Sequence, residues 1–173
     1  MAARLSDCTP TLSAVSQVDG PLLSNLLELY IHDLSAMFDV QLRPDGRFGY
    51  PHLESYLSGS SDRFAYLIRC EQLIAGFALV TRGSPVVEDP DALDVADYFV
   101  LRRFRGCGVG RAAAGLLFDR LPGTWTVRAA DVNPDAVAFW RRVVATYTSN
   151  TASESERRDG SKNWVVFSFN NAI

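Results

Sequence analysis

Between Arg102 and Ala113 the chain reads RRFRGCGVGRAA, with glycine at every second position from 106 to 110 and four arginines around them. Glycine loses more backbone freedom on folding than any other residue, so this spacing is costly unless something must approach the main chain. The flanks say where the segment lies. LDVADYFVL before it is built of strand formers, and Val109–Leu121 after it has helical periodicity that Pro-Gly stops. A strand ending near Leu101 and a helix beginning within a few residues of Gly108 leave successive N–H groups without helical partners, all pointing one way. With the helix dipole they make an anion site of the kind that takes phosphate. A Gly-rich turn with a solvated basic face is the bland alternative; the strand before and the helix after favour phosphate.

The rest of the chain supplies an ordered set of elements. A short first strand is expected near Leu12–Val18. DGPLLSNLLELYIHDLSAMF predicts a helix whose stripe runs from Leu22 to Phe38, and HLESYLSG a shorter one ending at Gly59. RFAYLIRC and LIAGFALVT form a hairpin across Glu71-Gln72. TWTVRAA is a strand, and Asn133 with Pro134 opens a helix over NPDAVAFWRRVVA. The polar run SNTASESERRDGSKN reads as a long connection before the closing strand WVVFSF. Residues 1–173 thus predict a single α/β domain around one mixed, mostly antiparallel sheet with a parallel strand–helix–strand unit.

Composition narrows the function classes. A net charge of -3 argues against a general nucleic-acid binder. No stretch approaches the apolar length needed to span a bilayer, and the N-terminus lacks a signal-peptide run. The three cysteines, Cys8, Cys70 and Cys107, have no metal-type spacing and read as free thiols in a reducing compartment, so a cytoplasmic protein is expected.

Three common phosphate loops do not fit. A P-loop needs Gly-Lys followed by Ser or Thr, a dinucleotide fingerprint from Gly106 needs a small residue where Arg111 stands, and the kinase signature set is missing. Instead, VLRRFRGCGVGRAAA resembles the coenzyme-A motif of the GCN5-related N-acetyltransferases, Arg/Gln-x-x-Gly-x-Gly/Ala, with Arg105, Gly108 and Gly110 in register. NPDAVAFWRRV resembles the later family motif Asn-x-x-Ala-x-x-Phe-Tyr, with Asn133, Ala136 and Phe139 in place. The resemblance covers roughly residues 20–170.

It implies an acyl-CoA N-acyltransferase fold, with helices flanking a central pair of parallel strands that splay apart, here Asp94–Leu101 and Thr124–Ala130. It implies acetyl-CoA as co-substrate and no metal. The pantetheine arm would pair with the main chain of Phe99, Val100 and Leu101, and the pyrophosphate would lie on the segment Arg105, Gly106, Cys107, Gly108, Val109, Gly110 and Arg111. A primary amine, most simply on a small molecule, would attack the thioester directly; a peptide or protein amine and a non-catalytic acyl-CoA sensor are the alternatives.

Catalysis would need a base and an acid. Asp97 is the preferred base, with Asp94 and Glu88 behind it; strand alternation sets Asp94 and Asp97 on opposite faces. Trp140 stands where the family often carries the tyrosine that protonates the leaving thiolate, and an indole N–H is no proton source at neutral pH. Tyr98 and Tyr147 are the substitutes; Trp140 itself packs in the core or on the pantetheine. The acceptor wall is expected from the first two helices and their connection: His32, Asp33, Phe38 and Tyr50, with Asp39, Asp45 and Glu54 available to hold a cation. SESERRDGSK reads as a solvated hairpin tip, with a homodimer contact or a lid as its other roles.

Overall fold

The computed structural model describes residues 8–172. Strand β1 (Pro10–Ala14) is followed by α1 (Gly20–Leu34), α2 (Leu53–Leu57), β2 (Arg63–Cys70), β3 (Leu73–Arg82) and β4 (Leu93–Val100). The second half runs α3 (Val109–Arg120), β5 (Thr124–Ala130), α4 (Pro134–Tyr147), β6 (Ser153–Asp159) and β7 (Lys162–Asn170). All seven strands join one sheet in the order β1-β2-β3-β4-β5-β7-β6. Among the described residues only β4 and β5 run parallel, because α3 carries the chain back across the sheet between them.

Helix spacing decides which face each helix covers. In α3 the buried residues are Val109, Ala113, Ala114, Leu117 and Phe118, and in α4 they are Val137, Trp140, Val143 and Val144. Both helices close over Trp125 and Val127. On the opposite face α1 and α2 cover Leu67, Phe77 and Leu79 through Leu23, Leu26, Leu27 and Tyr56. The apolar stripe of α1 predicts a helix to Phe38, yet it ends at Leu34. Ser35 closes it: its N–H is shared by the Ile31 and His32 carbonyls, and its hydroxyl donates to His32 at 2.7 Å.

Three expectations are overturned by long-range pairing. Leu79 pairs with Asp97 but Val80 with Val95, so Ala96 is an extra residue in β4. This bulge cancels the simple alternation, and Asp94 and Asp97, opposite Thr81 and Leu79, share the face that α1 covers. The polar run before the closing strand is no long connection: Ser153–Asp159 pairs with β7 across a tight turn at Gly160. As the sheet's edge β6 needs one neighbour and tolerates dense charge, which is why it reads as a loop. Finally, Cys8 and Cys70 are joined by a disulfide, leaving Cys107 free, so the inference of a reducing compartment loses its ground.

Candidate active site

β4 and β5 touch over three rungs only, Leu93 with Trp125, Asp94 with Thr126 and Val95 with Val127. Beyond the bulge at Ala96 they diverge, β4 staying with β3 and β5 with β7. The sheet therefore forks, and the fork exposes main-chain groups on the inner edge of β4. Leu101 donates to the Ala75 carbonyl at 2.8 Å, and an antiparallel ladder alternates, so Phe99 and Leu101 face β3. This corrects the expected trio of backbone binders: Val100, with Tyr98, presents its peptide groups to the gap. The Val100 carbonyl accepts from Arg105 Nε at 2.7 Å.

The glycine segment lies at the mouth of this fork. A short turn over Arg102–Phe104 buries Phe104, and Gly106 and Gly108 then take φ of 77° and 87°. That left-handed geometry is open to glycine with little strain, and it turns the chain into α3 with Gly108 as its N-cap. Among the described residues, the main-chain N–H groups from Gly106 to Arg111 donate to no protein acceptor. A Cβ on Gly106 or Gly108 would meet nothing within 4 Å, whereas one on Gly110 would press on Val100 and Phe139 at 3.3–3.4 Å. The first two glycines thus leave open space above bare amides, and the third packs α3 against the fork. Cys107 is half-buried with its thiol on the Phe104 carbonyl, and Arg111 is exposed beside it. Arg105 and Arg102 each pair with Asp33, at the end of α1, at 2.7 Å. Burial raises the Asp33 carboxyl, but those two guanidinium bonds outweigh it and hold the group below the usual carboxylate range.

On the α1 side of the fork, Tyr50 donates its hydroxyl to Asp97 Oδ2 at 2.5 Å. Burial pushes the Asp97 carboxyl above its ordinary range, and hydrogen bonds from Tyr50 and Tyr30 and the charge of Arg128 offset only part of this. The same burial, with the Asp97 charge, drives the Tyr50 hydroxyl upward, so it stays protonated. Asp94 is fully buried and accepts from Arg128 at 2.7 and 3.0 Å and from Thr126 at 2.7 Å. Arg128 was not among the expected residues; its signal is that it is the only charge in TWTVRAA, an otherwise buried strand. A cavity of about 390 Å³ opens here, bounded by Tyr50, His52, Tyr56, Ala96, Arg128 and the strand ends around Arg63 and Arg82.

The other expected residues scatter. Tyr98 donates to the Gly110 carbonyl at 2.6 Å, and its ring stacks on Phe139 and meets Trp140 at 5.0 Å. Burial raises its hydroxyl well above the ordinary tyrosine value. Trp140 is a core residue, 5% exposed. Tyr147 lies at the far end of α4, bonded to Asp119 at 2.8 Å, and is not brought to the fork. Asn133 caps α4, accepting from Ala136 N–H at 3.1 Å. Phe38 sits under Lys162 of the β6–β7 hairpin, at 5.2 Å, and His32 is exposed. Among the described residues no three His, Cys, Asp or Glu side chains gather as metal ligands would, and no helix is long and apolar enough to cross a membrane.

Known proteins match this arrangement. The acetyltransferase (GNAT) family profile fits residues 26–144. An acetyltransferase from Thermus thermophilus superposes with a TM-score of 0.68 at 19% identity, over 94% of this chain and 97% of that one. A ribosomal-protein alanine N-acetyltransferase from Escherichia coli gives 0.59 at 18% identity, over 95% of each chain. Spermidine N-acetyltransferase from Vibrio cholerae, solved with CoA and spermine, gives 0.63 at 12% identity, over 94% of this chain and 95% of that one. No curated protein sequence matches the chain.

Proposed function

Because the chain belongs to the acetyltransferase (GNAT) family, we propose that it moves the acetyl group of acetyl-CoA to a primary amine of a small molecule, by direct attack in a ternary complex. One observation carries this reading: six N–H groups, Gly106 to Arg111, unpartnered among the described residues, border the point where β4 and β5 part. The amides and the α3 dipole suit the coenzyme A pyrophosphate, with Arg111 at the rim. The inner edge of β4 at Tyr98 and Val100 suits the pantetheine arm, which requires Arg105 to release the Val100 carbonyl. The thioester would then lie in the fork.

Asp97 is assigned as the base, reached through Tyr50. The Tyr50 oxygen accepts the amine proton while its own proton passes to Asp97 Oδ2, 2.5 Å away. Because the tyrosine stays protonated, it relays and does not ionise. The amine nitrogen bonds the acetyl carbon, the carbon–sulfur bond breaks, and the sulfur needs a proton. Tyr98 suits that role better than Tyr147: it lies at the fork against Trp140, and it would have to turn its hydroxyl from the Gly110 carbonyl to the sulfur.

The test is acetyl-CoA-dependent release of free thiol across a panel of amino acids, polyamines, aminoglycosides and peptides, with acetylated product found by mass. Thiol release with a small amine is expected. Tight acetyl-CoA binding with no release on any amine would favour a non-catalytic sensor, the reading that Trp140 in the tyrosine position supports. Release with peptides alone would move the acceptor to a protein amine.

A further inference from the structure

The connection between α1 and α2, from Leu34 to Leu53, is long for a stretch without regular structure, and such segments are commonly functional. It carries Tyr50, so whatever holds it also places the relay hydroxyl. Its middle folds on itself in one small turn: Arg43 N–H meets the Arg47 carbonyl at 2.8 Å and Gly46 N–H the Arg43 carbonyl at 2.9 Å. The Asp45 carboxylate accepts the Arg47 N–H at 3.1 Å, so this acid, expected to hold a cation, is taken up within the turn.

The next residues are held from outside. Glu28 on α1 turns its carboxylate to the main chain of the connection: Oε2 accepts the Phe48 N–H at 2.7 Å and Oε1 the Gly49 N–H at 3.0 Å. Arg47 closes the grip, donating Nε to Glu28 Oε1 at 3.3 Å and Nη2 to the Ser24 hydroxyl, one turn earlier on α1. Gly49 takes φ of 73°, and a Cβ there would run into the Arg43 guanidinium. Burial raises the Glu28 carboxyl, but the two main-chain N–H groups and Arg47 outweigh it and hold the group below its ordinary range. Two consecutive N–H groups tied to one helix leave little freedom to the residue that follows. That residue is Tyr50, whose hydroxyl reaches Asp97 Oδ2 at 2.5 Å.

We propose that Glu28 is a positioning residue for acetyl transfer: by gripping the main chain at Phe48 and Gly49, its carboxylate sets the Tyr50 hydroxyl between the acceptor amine and Asp97. Glu28 does not line the cavity, so it acts through Tyr50. Proton transfer needs its partners within hydrogen-bond reach, so a small drift of the connection is costly.

The role rests on the acetyl-transfer reading. Its test is a double-mutant cycle in the thiol-release assay, with the full chain and the best amine of the panel. Glu28→Gln keeps the shape but loses the charge, leaving one oxygen for two N–H groups. It should lower kcat by roughly tenfold to a hundredfold with acetyl-CoA affinity unchanged. On a Tyr50→Phe background, itself slower, the same substitution should change kcat by less than about twofold, because the hydroxyl it places is already gone. An equal loss on both backgrounds would make Glu28 a general support of the fold and overturn the proposal. If Tyr50→Phe shows no turnover, the single variant's split between kcat and affinity decides. Should Glu28→Gln not fold, amide exchange in the unmodified protein decides: Phe48 and Gly49 should exchange at least about tenfold slower than in an unstructured chain, and free exchange at both would overturn the grip. Thiol release that Glu28→Gln leaves untouched would overturn this role and leave acetyl transfer standing. Acetyl-CoA bound with no amine acetylated would overturn both.

Discussion

The two sides of the fork are prepared for their ligands in opposite ways. Towards α3, six consecutive N–H groups stand unpartnered among the described residues, with open space over Gly106 and Gly108, so the main chain itself is the recognising surface. Towards α1, side chains are already tied in pairs: Tyr50 to Asp97, Arg128 to Asp94, Asp33 to two arginines. A main-chain site needs space and dipoles, which glycine spacing supplies locally. A side-chain site needs residues from β2, β3, β4, β5 and the α1–α2 connection to meet, which only the finished sheet arranges.

Substitutions on each side should fail differently. The largest effect is expected from Gly108→Trp, which fills the open space over the amides. Losing two or more charge-assisted bonds to phosphate should weaken acetyl-CoA binding by roughly a hundredfold or more in calorimetry. Retained affinity would erase the distinction drawn above. Next comes Asp97→Asn, expected to lower kcat by about a hundredfold with acetyl-CoA affinity unchanged. Since burial raises this carboxyl, the base form is lost as pH falls through a value above the ordinary carboxylate range. The acid limb of the rate profile should lie there, and the Asn variant should lack it; an unmoved limb would assign the titration to another group. The smallest effect is expected from Asn133→Ala. Its carboxamide oxygen already accepts the Ala136 N–H, so the variant should lose about 1 kcal/mol of stability, seen as a Tm lower by roughly 2–4 °C. A large loss of acetyl-CoA affinity instead would place Asn133 among the cofactor's contacts.

The same contrast explains what the sequence made legible. GCGVG names its own conformation, and Asn133-Pro134 names a helix start, so the α3 and α4 half could be read directly, with β5 matched from Thr124 to Ala130. Ala96 gives no such sign. A bulge in β4 is defined against β3, and it alone puts Asp94 and Asp97 on one face. Arg128 was overlooked because its role depends on Asp94 across the last rungs of the parallel pair. Asp33, expected in the acceptor wall, gives no sign of its two arginines, which lie 69 and 72 residues away. The edge strand β6 was hidden by its charge.

The disulfide gives this asymmetry a covalent form. Cys8 and Cys70 lie 62 residues apart, and the chain between them carries β1, α1, α2 and nearly all of β2. The wall that faces the acceptor is therefore a closed ring, while the glycine segment and α3 belong to the open remainder. Shortening the unfolded chain's reach by a loop of that size favours the native state by about 4 kcal/mol on the chain-entropy account. Cys8 and Cys70 also pack with Phe104, Val109 and Cys107, so an electron pair delivered to that bond would slacken the wall around Tyr50 and the seat of the phosphate cradle together.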